Sequence, residues 1–281
     1  AYSRYVSSDG SVSDNAYWDA LAIGQESYWK LPLKVIGLEP NTTYYFKAQA
    51  KNGDNRLTEY GPVSSIATLT IYPEIVKVEP VSGYETSKIR VTYTGAGSDY
   101  WVQVSTLEAP EDIWHDLSTD WSDATSIQED NIGPAAKRFY RVKARSIAGV
   151  ENDDWSDVKS TATWASIPGV GPGIGKVTVG LSSVTVVYGQ GSPANPEGTK
   201  YQVRLSSFEY GEGVIDISSF KADRLQYTFM QHISANTSYF IDVRAQNPDP
   251  YNVPTQWASL PIKYTLIENP TAQWLMLGES S

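Results

Sequence analysis

The chain has 281 residues, a formal net charge of −10 and no cysteine. An acidic balance without a run of Lys and Arg argues against nucleic acid and against an anionic membrane surface as partners, because both are bound through clustered cations. The lack of cysteine excludes disulfides, thiolate metal sites and cysteine nucleophiles.

One stretch of sequence occurs three times in variant form. Its final alanines are Ala50, Ala144 and Ala245, so the spacings are 94 residues (144−50) and 101 residues (245−144). This is about the length of one small β-sandwich domain. The three copies are residues 40–52 (PNTTYYFKAQAKN), 134–146 (PAAKRFYRVKARS) and 235–247 (ANTSYFIDVRAQN). We therefore expect a tandem array whose domains use most inward positions for their own cores.

The first copy is preceded by only part of a domain. Residues 1–8 loosely match a strand that recurs as YWVQVST and YQVRLSS in the later copies, although Arg4 stands where both carry valine. A central strand follows around Tyr44, and a last strand is expected near residues 63–70. The pattern predicts a first domain that begins at its third strand.

The second and third copies add strands with apolar residues at every second position. This alternation is typical of a strand with one face on a core. It occurs in residues 88–94 (KIRVTYT) and 183–189 (SVTVVYG), and last strands are expected at residues 155–163 and 257–266. Together with the abundance of Tyr, Trp, Thr, Ser and Val, it predicts an all-β fold.

Turn-forming residues divide the chain into predicted domains. The first repeat is residues 1–72, a partial domain without its opening strands; the second is residues 73–166 and the third is residues 167–267. Residues 268–281 form a tail or the start of a next repeat. The middle boundary falls in SIPGVGPGIG at residues 166–175, a Gly/Pro-rich linker or a looped first strand.

The repeated stretch also carries a family signature. Residues 37–52 (GLEPNTTYYFKAQAKN) place a leucine before a proline turn, followed by Thr-x-Tyr-x-Phe and alternating small apolar residues, and the third copy has Ile233 at the leucine position. This pattern resembles the fibronectin type III signature. The resemblance implies tandem immunoglobulin-like antiparallel β-sandwiches, each of two sheets and seven strands.

The resemblance also implies a tyrosine corner in two of the repeats. Tyr44 and Tyr239 occupy its position, where the hydroxyl bonds back to upstream backbone. In the second repeat the corresponding residue is Arg138 (44+94). We expect Arg138 to weaken that corner.

The sequence carries no recognised catalytic or metal-binding pattern, so we predict no catalytic residue, no cofactor and no bound metal. The two histidines, His115 and His232, belong to different predicted domains, so they cannot form a histidine cage. The glycines of residues 169–175 do not have the spacing of a dinucleotide fingerprint. Acidic stretches near residues 112–123 and 151–154 are read as solvated loop charge, with calcium as their functional alternative.

Trp114 and Trp121 are the candidate binding residues. They flank the acidic stretch of the second repeat, and an exposed tryptophan face stacks well on a sugar ring or on a protein partner. The alternative is that they cover an edge of the sandwich. Trp155 and Trp257, with Tyr60 at the matching place, are expected to pack at the start of each last strand.

These features predict a non-catalytic extracellular spacer, adhesive region or assembly stalk of a larger bacterial surface or filament protein. Its partners would be neighbouring domains or copies of the same protein. One alternative is a set of glycan-binding accessory modules of a secreted polysaccharide-degrading enzyme. Another is a filament subunit in which the tail, residues 271–281, pairs with the open first domain of another copy. No stretch has the roughly 20 apolar residues of a membrane span.

Overall fold

The computed structural model describes residues 4–7, 9–16, 18, 33–107, 113–171, 173–248 and 250–268. Within them the regular structure is β-strand, apart from one turn of 3-10 helix at Glu209–Gly211. The predicted all-β class is therefore confirmed. Of the predicted tail, only Glu268 falls inside the described residues.

Contacts divide the chain into two compact units. The first comprises Ala1–Val78, Val91–Ile127 and Phe139–Lys159, and the second comprises Glu79–Arg90, Gln128–Arg138 and Ser160–Ser281. The first unit contains the joint between the first and second repeats, and the second unit contains the joint between the second and third. The domain boundaries drawn from the repeated stretch stay a prediction.

The first ten strands lie in the first unit or run through it. β1 pairs with β2 and β3 with β4, while β10 pairs with β7 and β7 with β8, all antiparallel. A further sheet has the order β5-β6-β9. The strands are β1 (Tyr5–Val6), β2 (Val12–Ser13), β3 (Thr43–Phe46), β4 (Ser64–Ala67), β5 (Glu74–Pro80), β6 (Ile89–Thr94), β7 (Asp99–Ser105), β8 (His115–Asp116), β9 (Ser126–Glu129) and β10 (Lys137–Arg145).

The central strand β10 shows how the sequence pattern sets the layers. Tyr140, Val142 and Ala144 are fully buried, whereas Arg141 and Lys143 between them are half-buried. Successive side chains of a strand point to opposite faces, so the apolar set faces the core and the cations lie on the outer face. Burial of each large apolar side chain stabilises the fold by about 1.5 to 3 kcal/mol.

The second unit contains most of the remaining strands and a complete sandwich. One sheet has the order β12-β13-β17; the other has the order β15-β14-β18-β19, with β16 also paired to β14. Every pairing is antiparallel. The strands are β11 (Lys159–Ala162), β12 (Lys176–Val179), β13 (Val184–Val187), β14 (Lys200–Ser206), β15 (Val214–Ile217), β16 (Lys221–Ala222), β17 (Gln226–Phe229), β18 (Ser238–Gln246) and β19 (Ala258–Tyr264).

Inward residues from both sheets of the third repeat form one buried cluster. Every second residue of β18 from Tyr239 to Ala245 belongs to this cluster, and so does every second residue of β14 from Tyr201 to Leu205, as the alternation predicts. The predicted last strands correspond to β4, β11 and β19. The cluster consists of Ala165, Val184, Val186, Tyr188, Tyr201, Val203, Leu205, Phe229, Tyr239, Ile241, Val243, Ala245, Ala258 and Leu260.

A tyrosine hydroxyl fixes the turn before the central strand in two repeats. The Tyr44 hydroxyl accepts a hydrogen bond from the backbone N–H of Glu39, and the Tyr239 hydroxyl accepts one from Ser234, both at 2.8 Å. At the matching place Arg138 donates to Glu129 at 2.9 Å instead. The sequence pattern did not identify that ion pair, and the weakening effect of Arg138 stays a prediction.

Replacement of Tyr239 by phenylalanine tests the corner bond. We expect Tyr239→Phe to lower the free energy of unfolding by about 1 kcal/mol, because the Ser234 N–H loses its acceptor. The measurement is the urea midpoint at unchanged slope. Tyr264→Phe is the matched control, since Tyr264 is exposed. Equal midpoints for the two variants would contradict the role of the bond.

Candidate functional site

The predicted binding residue Trp114 packs against an arginine of the central strand. The guanidinium carbon of Arg141 lies 4.2 Å from the ring centroid of Trp114 and 4.5 Å from that of Trp155. Two hydrogen bonds, of 2.9 and 2.7 Å, hold the guanidinium on the side-chain oxygen of Gln103, the residue opposite on β7. Arg141 is therefore fixed between two half-buried rings by cation–π contacts.

Trp121, the other predicted binding residue, contacts Arg145 near the end of β10. Arg145 lies 4.9 Å from the Trp121 ring centroid and forms an ion pair of 2.8 Å with Asp99. The Trp121 ring also lies 5.6 Å from the ring of Trp101, tilted by 54°. Trp114 and Trp121 both pack on cations of β10, and their predicted contact with a glycan or a partner stays a prediction.

Acidic residues near this face contact its tryptophans and cations. Trp101 Nε1 and Gln103 Nε2 both donate to one carboxylate oxygen of Asp116, at 2.7 and 2.8 Å. The hydrogen bonds from Gln103 and Trp101 lower the pKa of Asp116. Glu151 forms an ion pair of 3.4 Å with Lys143. Asp112 lies outside the described residues.

Across the described ranges, no three His, Asp or Glu side chains come together as a group that could hold a metal ion. In the same part of the chain, no helix has the length and apolar character needed to cross a membrane.

The third repeat carries the same type of packing with its residues rearranged. Trp257 contacts two guanidinium groups, those of Arg204 and Arg244, each 4.3 Å from its ring centroid. Arg244 also lies 5.2 Å from the ring centroid of Phe220, and burial lowers its pKa. Arg204 forms an ion pair of 2.7 Å with the buried carboxylate of Asp242. Trp257 therefore packs on charge from both β14 and β18.

The partial first repeat also contains a contact of this type. The amine of Lys47 lies 3.8 Å from the ring centroid of Tyr60, and position 47 corresponds to Arg141 (47+94). The sequence reasoning named the aromatic residues but missed these cations. Their signal was the alternation itself, since Arg141 and Arg244 occupy outward positions between buried residues.

The joint between the first and second repeats is held by asparagine side chains. Asn41 Oδ1 accepts a hydrogen bond of 2.6 Å from the N–H of Ile147, and Asn41 Nδ2 donates to Ser98 Oγ at 3.1 Å. From the second repeat, the buried Asn152 donates to the carbonyl of Thr70 at 3.1 Å. Each of the two repeats thus supplies an asparagine amide that forms a hydrogen bond with a backbone group of the other repeat.

Two buried asparagines of the third repeat hold the segment that joins it to the second. Asn247 Oδ1 accepts from the N–H of Ala165 at 3.0 Å, and its Nδ2 donates to the carbonyl of Thr163 at 2.5 Å. Asn195 bonds both the N–H and the carbonyl of Ser166, at 2.6 and 2.9 Å. The start of the predicted Gly/Pro-rich linker is therefore a fixed, buried segment.

A variant of Arg141 tests whether the cation–aromatic packing stabilises the fold. We expect Arg141→Met to lower the free energy of unfolding by about 1 to 2 kcal/mol, because two cation–π contacts are lost. The urea midpoint reports the change, and red-shifted tryptophan emission should accompany it.

Arg90→Met is the matched control for Arg141→Met. Arg90 is an exposed arginine on strand β6. A loss of stability no greater for Arg141→Met than for Arg90→Met would mean that the stacked arrangement adds nothing.

The chain matches no family model and no curated protein. The solved structures to which it is similar include two from chicken. The FN1–FN3 domains of CNTN1 are 16% identical, with 83% of this chain and 80% of that chain covered and a TM-score of 0.31. A two-domain fibronectin type III segment of tenascin is 9% identical, with 70% and 99% covered and a TM-score of 0.42. By its own strand order, alternating cores and repeated signature, this chain is a tandem array of antiparallel β-sandwich repeats, and its repeated signature resembles that of fibronectin type III domains.

Proposed function

We propose that the chain is a non-catalytic structural and adhesive array that serves as a spacer or assembly stalk in a larger extracellular protein of a bacterial surface or filament. The observation that carries this proposal is Asn247, which is fully buried and bonds both an N–H and a carbonyl of the segment between two repeats. A loose tether between independent modules needs no such buried amide.

The occupation of the strand positions supports the same function. Inward positions of β14 and β18 are filled by packed apolar residues, and outward positions near their middle are filled by cation–aromatic contacts. The ends of the repeats and their joints remain as places for contact with neighbouring domains or copies. The net charge of −10 keeps such an array soluble, and a cysteine-free composition fits a protein exported by bacteria.

Pulling experiments on single molecules test the stalk. With the chain tethered at its two ends, we expect separate unfolding steps for the second and third repeats. Each step should release about 30 nm, because the repeats span 94 and 101 residues (144−50 and 245−144) and an extended residue reaches about 3.4 Å. Continuous extension without steps, or one concerted step of twice this length, would contradict an array of separately folded repeats.

A second candidate function is a glycan-binding accessory module. The four tryptophans on one side of the second repeat favour it, because aromatic area of this kind can stack on sugars. These residues are Trp101, Trp114, Trp121 and Trp155, which the contacts with Arg141, Lys143 and Arg145 link along β10.

Pull-down on insoluble polysaccharides separates the two candidates. If the chain is a stalk, we expect no retention of the wild type. Retention that is lost in Trp114→Ala and Trp121→Ala, but kept in the control Trp257→Ala, would favour the glycan-binding module. Trp257 is a suitable control because it packs on arginines in the other complete repeat.

A filament built by strand exchange is the remaining candidate. Its donor segment, residues 271–281, lies outside the described residues. The partners of this candidate would be copies of the same chain.

A further inference from the structure

The same turn precedes the central strand in all three repeats. Its key positions are Asn41, Ala135 (41+94) and Asn236 (135+101), with φ of 49°, 50° and 51°. In each repeat the N–H of this residue donates to a carbonyl near the end of the last strand, that of Leu69, Trp164 or Leu266, at 3.0 to 3.1 Å. The backbone of the turn is therefore equivalent in the three copies.

In the first two copies this turn contacts the following repeat. Asn41 accepts the N–H of Ile147 and bonds the hydroxyl of Ser98. Ala135 packs against the buried cluster of the third repeat. The third copy, Asn236, has the same amide as Asn41 but is exposed, and its side chain forms no hydrogen bond within the described residues.

A threonine follows the last strand of each repeat directly, at Thr68, Thr163 and Thr265. The residue two positions after this threonine shows the same difference between the copies. In the first two copies it is Thr70 and Ala165, only 7% and 2% exposed, and the asparagines of the following repeat hold both. In the third copy it is Ile267, which is 71% exposed. A large apolar side chain thus lies open where its two counterparts are covered.

The linking sequence after these threonines also recurs. It reads TLTIYP from Thr68, TWASIP from Thr163 and TLIENP from Thr265, so each copy has proline five residues after the threonine. The first two prolines are followed by a repeat. Residues 268–270 therefore repeat the linker pattern of the first two copies.

We propose that Asn236, Leu266 and Ile267 form a half-joint, here called the third-repeat pole, that receives a further fibronectin type III-like repeat linked to it through residues 268–270. Asn236 accepts a turn N–H of that repeat, the counterpart of Ile147, and bonds a hydroxyl at the counterpart of Ser98. The side chain of Ile267 becomes buried, and its backbone forms a hydrogen bond with a counterpart of Asn152 or Asn247. The inference rests on the proposed array function and names the next partner in that array.

The test uses the full chain and an extended version. The extended chain continues after Pro270 with a copy of residues 74–267, the segment that follows the equivalent Pro73 in the first joint. Hydrogen exchange followed by mass spectrometry is measured on both chains. We expect the peptide of residues 262–268 to exchange about tenfold more slowly in the extended chain, a factor that corresponds to about 1.4 kcal/mol.

Asn236→Ala identifies the side chain responsible. We expect it to speed exchange in the added copy of the turn at residues 146–150 by about tenfold, the factor for a bond of about 1.4 kcal/mol. The substitution is compatible with the fold, because Ala135 has the same positive φ in the second repeat. Asn252→Ala, which changes an exposed asparagine away from the pole, is the control and should leave this exchange unchanged.

Three results would overturn the half-joint. One is equal exchange of residues 262–268 in the two chains, and another is exchange in the added turn that does not respond to Asn236→Ala. The third is a dimer of the 281-residue chain in sedimentation that Asn236→Ala dissociates, since the occupant would then be a second copy. Failure of the array itself is distinguishable, because the core peptides of the added repeats would then also lack protection.

Discussion

The strict alternation of the central strands is the constraint on which the rest of this structure depends. On β18, Tyr239, Ile241, Val243 and Ala245 are all committed to the core. The residues between them must lie on the other face of the sheet, because the side-chain period of a strand is two. A shift by one residue would expose the whole apolar set and bury the charges. The core therefore also determines which residues can carry the outer cation–aromatic packing.

Buried backbone at the joints imposes a second constraint. A segment that passes between two sandwiches has N–H and carbonyl groups without strand partners, and leaving such groups unsatisfied is costly. The side chain of Asn247 satisfies two of these backbone groups, because its amide accepts a hydrogen bond from the N–H of Ala165 and donates one to the carbonyl of Thr163. Aspartate could not donate and lysine could not accept. This explains why asparagine, a short residue that offers both functions, holds the joining segments.

Much of the fold was predictable, because strands and cores depend on local pattern. The alternation in KIRVTYT identified Ile89, Val91 and Tyr93 as buried, and the structure buries all three. The contacts at the joints and on the outer faces were harder to predict from the sequence. Asn152 lies 82 residues from Thr70 and Asn247 lies 84 from Thr163, so nothing in the surrounding sequence indicates the pairing. The cation that meets Trp114 likewise became evident only when the register placed Arg141 opposite Gln103.

The arginine that packs on a tryptophan stands on different strands in the second and third repeats, and this difference bears on the role of the tryptophans. In the second repeat the cross-strand pair is Gln103 and Arg141, and at the same positions (103+101 and 141+101) the third has Arg204 and Asp242. The arginine changes strand, yet in both repeats it packs on the tryptophan that precedes the last strand. What the two repeats share is a guanidinium against an indole rather than a particular residue at a particular position. Sugar binding requires an open indole surface, whereas the Trp257 ring is in contact with two guanidinium groups, those of Arg204 and Arg244.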